Sequence, residues 1–136
     1  MMKSSGVFAE HFEYIISSHF RLRNFLVDSG RTSDQGFDLK VTKGNTYYLE
    51  LKFYRSNRIH YSLLERTVSQ LAKLVGVMGG DNYGIAIFSI DISIDIRLTL
   101  KEKFGITIWD REIVLEELRK TSIELKEHFE SSADCG

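Results

Sequence analysis

The feature that most constrains this chain is a pair of stretches, residues 36–42 and 46–54, that alternate apolar and polar side chains and are joined by Lys43-Gly44-Asn45. Period-two alternation marks a strand with one buried face, and so short a glycine-containing connection folds one strand back on the other as a hairpin. Parity then sorts the side chains. In the second strand Tyr47, Leu49, Leu51 and Phe53 share one face, and Tyr48, Glu50, Lys52 and Tyr54 share the other. In the first strand Phe37, Leu39 and Val41 form the apolar set, opposed by Asp38, Lys40 and Thr42. A loop at 43–45, with Gly44 or Asn45 at positive φ, pairs Thr42 with Thr46. Counting back along both strands, Asp38 falls opposite Glu50. A shorter loop would set Asp38 against Leu51 and bury one strand's polar set, so the face pattern argues against it.

Cross-strand partners have Cβ atoms roughly 5 Å apart. Two carboxylates so close repel, and either one pKa rises or a cation binds between them. Hard oxygen ligands on a rigid hairpin suit Mg²⁺, with Mn²⁺ as its substitute. Lys52 follows on the same face, within reach of the same space. It could orient or help deprotonate an attacking water and offset charge in a phosphorane-like transition state. Glu50-x-Lys52 alone is a common pattern on any solvated strand; Asp38 in register is what gives it functional weight.

The rest of the chain contains no proline, so glycine provides the punctuation. Residues 7–20 carry Val7, Phe8, Phe12, Ile15, Ile16 and Phe20 at helical spacing, and a short strand is expected at 22–28. Residues 61–78 return to helical spacing, 83–89 and 106–109 read as buried strands, and 111–129 as a closing helix. The stretch 90–100 alternates as a strand would, yet Ile96, Leu100 and Phe104 fit one helical stripe that Gly105 would stop. A helix at 94–103 is the reading adopted. The order α-β-β-β-α-β-α-β-α is an α/β fold, a mixed β-sheet flanked by helices. Residues 1–130 make one domain and 131–136 a polar tail, either a linker start or a frayed end.

A length of 136 residues suits a single compact domain. No apolar run approaches the ~20 residues of a membrane span, and the first dozen residues lack the pattern of a secretory signal. The single cysteine, Cys135, fits a reducing, cytoplasmic setting. The histidines are scattered, without zinc spacing. A net charge of −1 conceals an uneven distribution: residues 21–60 hold eight Lys/Arg against four acids, while residues 110–136 hold four against eight. The basic half could hold a phosphate backbone beside a metal site, or it could be an ordinary solvated surface.

Gly36-Phe37-Asp38-Leu39 followed by Tyr48-Leu49-Glu50-Leu51-Lys52-Phe53-Tyr54-Arg55-Ser56 resembles the PD-(D/E)xK restriction-endonuclease-like superfamily, especially its Mrr-like branch. In those domains a helix with a Phe-Glu pair precedes the hairpin, and the helix after the motif lysine often carries glutamine. Phe12-Glu13 and Gln70 stand in matching places, and the resemblance covers roughly residues 8–118. The motif proline is absent, with Phe37 in its place. The resemblance implies that Asp38, Glu50 and the Leu51 carbonyl ligate the metal and that Lys52 serves the water. It implies that Glu13, with Glu10 as a rival one turn earlier, approaches from the first helix. Gln70 would contact phosphate or orient the lysine. Arg55 and Arg58 follow on a loop suited to phosphate contacts, and Lys40 and Arg66 complete the candidate nucleic-acid set; Gln70 and Arg66 also read as solvent-facing polar residues, the preferred reading for Arg66. Tyr48 and Tyr54 could meet a sugar or base, or be ordinary strand residues. The implied function is Mg²⁺-dependent endonucleolytic cleavage of DNA, the alternatives being a ribonuclease or a non-catalytic nucleic-acid-binding or assembly domain. A homodimer, or an effector domain within a larger protein defending against foreign DNA, is the expected context.

Overall fold

A computed structural model of the chain describes residues 2–30, 37–56 and 58–134. Gly36 of the motif and Cys135 lie outside them. Helix α1 (Met2–Leu22) buries Phe12, Ile15, Ile16 and Phe20 along one stripe. Asn24 then adopts φ 69°, and the Phe25 N–H turns back to the Phe20 carbonyl. This left-handed stop, which a short polar side chain tolerates, lets the helix run to Leu22, so strand β1 (Leu26–Ser29) starts later than its expected 22–28.

Strands β2 (Leu39–Lys43) and β3 (Asn45–Lys52) form the hairpin. Thr42 pairs with Thr46 and Leu39 with Leu49, the register deduced from the loop length, with Gly44 at φ 80°. After β3 come α2 (Tyr61–Met78), β4 (Asn82–Phe88), α3 (Ile94–Phe104) and β5 (Thr107–Trp109). The five-stranded mixed sheet runs β1-β2-β3-β4-β5, antiparallel in its first two pairings and parallel in its last two.

The ambiguous stretch before β5 is a helix because both of its ends are capped. Ser93 Oγ accepts from the Ile96 N–H, and Gly105, at φ 72°, donates to the Lys101 carbonyl. The single closing helix expected at 111–129 is instead two, α4 (Arg111–Thr121) and α5 (Ile123–Asp134). Ser122 breaks it: its backbone is extended, its N–H donates to Leu118, and its hydroxyl accepts from the Leu125 N–H. One residue thus stops α4 and caps α5. The apolar stripe Val114, Leu118, Leu125, Phe129 continues across the break, so periodicity alone could not reveal it. Helix α5 runs to Asp134, into the stretch read as a tail.

Helices α1, α4 and α5 close one face of the sheet over Leu39, Val41, Leu49, Ile85 and Ile87. Helices α2 and α3 pack the other face over Ala86, Phe88 and Ile108. Phe37 departs from its expected side: it precedes β2 and turns onto Tyr48, ring centroids 5.1 Å apart, in the α2–α3 core. Among the described residues no helix is long and apolar enough to cross a membrane.

Candidate functional site

The hairpin brings Asp38 and Glu50 together at the place where its ladder ends. The Asp38 N–H donates to the Leu49 carbonyl at 2.9 Å, and Asp38 Oδ2 accepts from the Leu51 N–H at 2.7 Å. The carboxylate therefore stands in for the backbone acceptor that β2 would have offered had it continued. Gly30 supports this turn, donating to the Asp38 carbonyl at 3.0 Å. A Cβ at Gly30 would meet the Phe37 carbonyl oxygen at 2.1 Å, so only glycine allows this approach.

Strand parity places the backbone as well as the side chains. Lys52 accepts from Ser89 on the β4 side. Leu51, one residue earlier, presents its backbone to the opposite edge, where its N–H meets Asp38. N–H and C=O of one strand residue leave by the same edge, so the Leu51 carbonyl is directed toward the same space as Asp38. Lys52 Nζ lies 3.3 Å from Glu50 Oε2. Glu50 is the more enclosed of the pair, its side chain 21% exposed against 39% for Lys52. Burial pushes the Glu50 carboxyl above its ordinary range; the neighbouring Asp38 charge adds to the rise, and Lys52 opposes it. Glu50 thus stands between a like charge on Asp38 and the Lys52 ammonium.

Ser89 is the residue the sequence did not mark. It is buried, its hydroxyl accepts from the Tyr54 N–H at 2.7 Å, and the same hydroxyl donates to the Tyr54 carbonyl at 3.0 Å. With its own N–H on Lys52, it clamps both sides of Phe53 to β4 and fixes the end of the strand that carries the lysine. Nothing in the local pattern around residue 89 signals a partner 35 positions away.

The flanking candidates divide. Phe8 and Phe12 of α1 pack on Phe53, bringing half-buried Glu13 to the same end of the sheet. Among the described residues no three His, Cys, Asp or Glu side chains gather as a metal-holding group. Lys40, partnered with Tyr48 across the hairpin, shares the carboxylates' face. Arg55 lies over the Phe8 ring at 5.3 Å, against α1. Arg58 is exposed on the following loop.

Helix α2 can be placed by its contacts. Leu71 and Val75 stand over Gly84, which is registered with Tyr48. Glu50 lies two residues further along, about 6.6 Å, equivalent to roughly four helical residues. The turn from Thr67 to Gln70 is therefore level with Glu50. Glu65 pairs with Lys103 of α3, and Gln70 is rotated about 140° from it, on the flank turned toward β2. Gln70 is exposed there, and Arg66, nearly opposite the buried stripe of α2, is exposed on its outer side. Tyr48 cannot meet a substrate: it is 5% exposed and packs on Phe37. Tyr54 stacks on Phe88 at 6.4 Å and is half-buried.

Compared with known proteins, the chain matches no family model, no curated sequence and no solved structure.

Proposed function

We propose that this chain is a metal-dependent nuclease domain of restriction-endonuclease-like type, hydrolysing phosphodiester bonds of DNA. The observation that carries this reading is the arrangement at the end of the hairpin: Asp38 acting on Glu50 across the strands, with Lys52 Nζ 3.3 Å from the same carboxylate. A divalent cation would offset the repulsion between the two carboxylates. Asp38, Glu50 and the Leu51 carbonyl would hold it, and Mg²⁺ keeps several sites for water and substrate phosphate in such a two-carboxylate setting. When bound, it would supply Lewis acidity at the phosphate and lower the pKa of water.

The chain's own residues supply the rest. Lys52 orients the attacking water by hydrogen bonding, and its charge opposes the negative charge that builds on the phosphate oxygens. Water adds to phosphorus, the bond to the leaving ester oxygen breaks, and that oxygen takes up a proton. Lys40 and Arg66 would provide cations for the neighbouring phosphates, with Gln70 as a neutral hydrogen-bonding group beside them.

The test is cleavage of supercoiled plasmid with Mg²⁺ or Mn²⁺, wild type beside Asp38→Ala, with EDTA as control. Nicking or linearisation that disappears in the variant and in EDTA supports a DNA nuclease at this site. Cleavage that survives Asp38→Ala removes the mechanism, and cleavage of an RNA panel in place of plasmid would move the substrate to RNA.

A further inference from the structure

Helices α1 and α5 pack against each other through a stacked pair of buried rings. Phe12 and Phe129 lie with centroids 5.6 Å apart and planes inclined by 24°. The residue before each of them is a histidine. The rings of His11 and His128 are 5.9 Å apart, edge to face at 72°. Close packing at 12 and 129 holds the two backbones, so the core sets the separation of the histidines and no ordering of the helices is left to a ligand.

Both histidines are accessible. His11 is half-buried and His128 is exposed. Among the described residues no hydrogen bond engages either ring, and neither ring has a fully buried nitrogen left without a partner. Their nitrogens therefore have water as their partner and can exchange it for another.

Two imidazoles this close select their ligand by chemistry. Imidazole nitrogen suits Zn²⁺, Ni²⁺ and Cu²⁺, whereas Mg²⁺ takes oxygen. Zinc–nitrogen bonds of about 2.0–2.1 Å at a tetrahedral angle put two ring centroids about 5.2 Å apart. The observed 5.9 Å is already close to that separation. Orientation is what must change, since an edge-to-face pair aims one ring's edge at the other's face. The torsion that turns an imidazole is broad and roughly two-fold, and exposed His128 has room to turn.

We propose that His11 and His128 form a cation site of their own, taking a divalent transition metal such as Zn²⁺ or Ni²⁺ through two imidazole nitrogens, with water completing its coordination. Among the described residues no third His, Cys, Asp or Glu joins them. The site is therefore open and exchangeable, unlike the four-ligand sites that hold zinc for structure. It differs from the carboxylate pair in chemistry, nitrogen against oxygen, and in place: on α1, Glu13 is turned about 200° from His11. A metal bound there ties α5 to α1 and stabilises the folded chain.

The test follows the melting of the whole chain, and its histidine ring resonances by NMR, as Zn²⁺, Ni²⁺ or Mg²⁺ is added. Zn²⁺ and Ni²⁺ are expected to raise Tm by a few degrees at about tenfold excess over the dissociation constant. Zn²⁺ shifts the ring resonances of His11 and His128 together and leaves those of His60 in place, and Mg²⁺ moves neither of the pair. His128→Ala, an exposed substitution, removes the Ni²⁺ and Zn²⁺ effect. Asp38→Ala retains it, so the result stands or falls independently of the proposed nuclease centre. An effect that survives His128→Ala, one that is lost in Asp38→Ala, or His11 and His128 resonances unmoved at millimolar Zn²⁺ overturns the proposal and leaves an ordinary ring contact between two helices.

Discussion

The sheet face under α1, α4 and α5 is covered from β1 to β5, whereas the helices on the other face pack on β3, β4 and β5. On the covered face His19 is buried, enclosed by rings and held neutral. On the partly covered face, Asp38, Glu50 and Lys52 sit beside the open hairpin, with α2 as a wall on one side. A histidine can be buried by shedding its proton. A carboxylate pair meant to stay charged needs a compensating charge and access to solvent. The unequal coverage therefore separates a region that stores structure from one that can do chemistry.

The sharpest way to break this contrast is at the lysine. Lys52→Ala is expected to lower metal-dependent cleavage about 10²–10³-fold, the usual loss when one preorganised stabiliser of transition-state charge is removed. Its circular dichroism and Tm should be nearly those of wild type, because Lys52 is partly exposed. Full cleavage in this variant would make the partly covered face as inert as the covered one.

A second experiment moves to His19. The histidine binds its proton more weakly in the folded chain, about pKa 4, than at its ordinary value of 6.5. The unfolded chain therefore holds more protons between these values, and stability falls as pH drops through that window. At about 1.4 kcal/mol per unit, the loss is about 3 kcal/mol on reaching pH 4. Urea unfolding at pH 7 and pH 4 should show it in wild type and show less in His19→Phe. An equal loss in both would place the acid sensitivity elsewhere.

Ser89→Ala sharpens the comparison from within the site. It leaves the Tyr54 N–H and carbonyl without their partner and should cost about 2 kcal/mol, seen as a lower urea midpoint. If the clamp matters to Lys52, kcat falls while substrate affinity stays near wild type; unchanged kcat limits Ser89 to stability.

The smallest effect has the opposite sign. Because burial and Asp38 raise the Glu50 pKa, the folded chain pays to keep that carboxylate ionised at neutral pH. The sign follows from linkage: a carboxyl held above its ordinary pKa costs stability as pH rises past the unfolded value. Glu50→Gln should raise Tm by a few degrees in EDTA and remove any stabilisation by added Mg²⁺. A drop in Tm in EDTA would mean that Glu50 stabilises the fold through Lys52, and the contrast with a tolerated but costly functional group would fail.

The sequence by itself determined the local arrangement. The loop at 43–45 and the period-two alternation set Asp38 against Glu50 and put Lys52 on the same face, because turn length and strand parity are properties of adjacent residues. Ser93 and Gly105, likewise local, account for α3. What the tertiary structure decided depends on distant neighbours. Phe37 and Tyr48 joined the α2–α3 core, since burial is set by whatever the chain packs there and not by alternation. The aromatic stripe of α1 was legible, but not that His19 beside it would close against Trp109 from β5. Ser122 broke the last helix although the apolar stripe passed straight through it, because a side-chain cap there competes with helix continuation. Pairings such as Tyr54 with Ser89 become favourable only once the parallel register of β3 and β4 has brought the two together, and a one-dimensional pattern carries no record of that register.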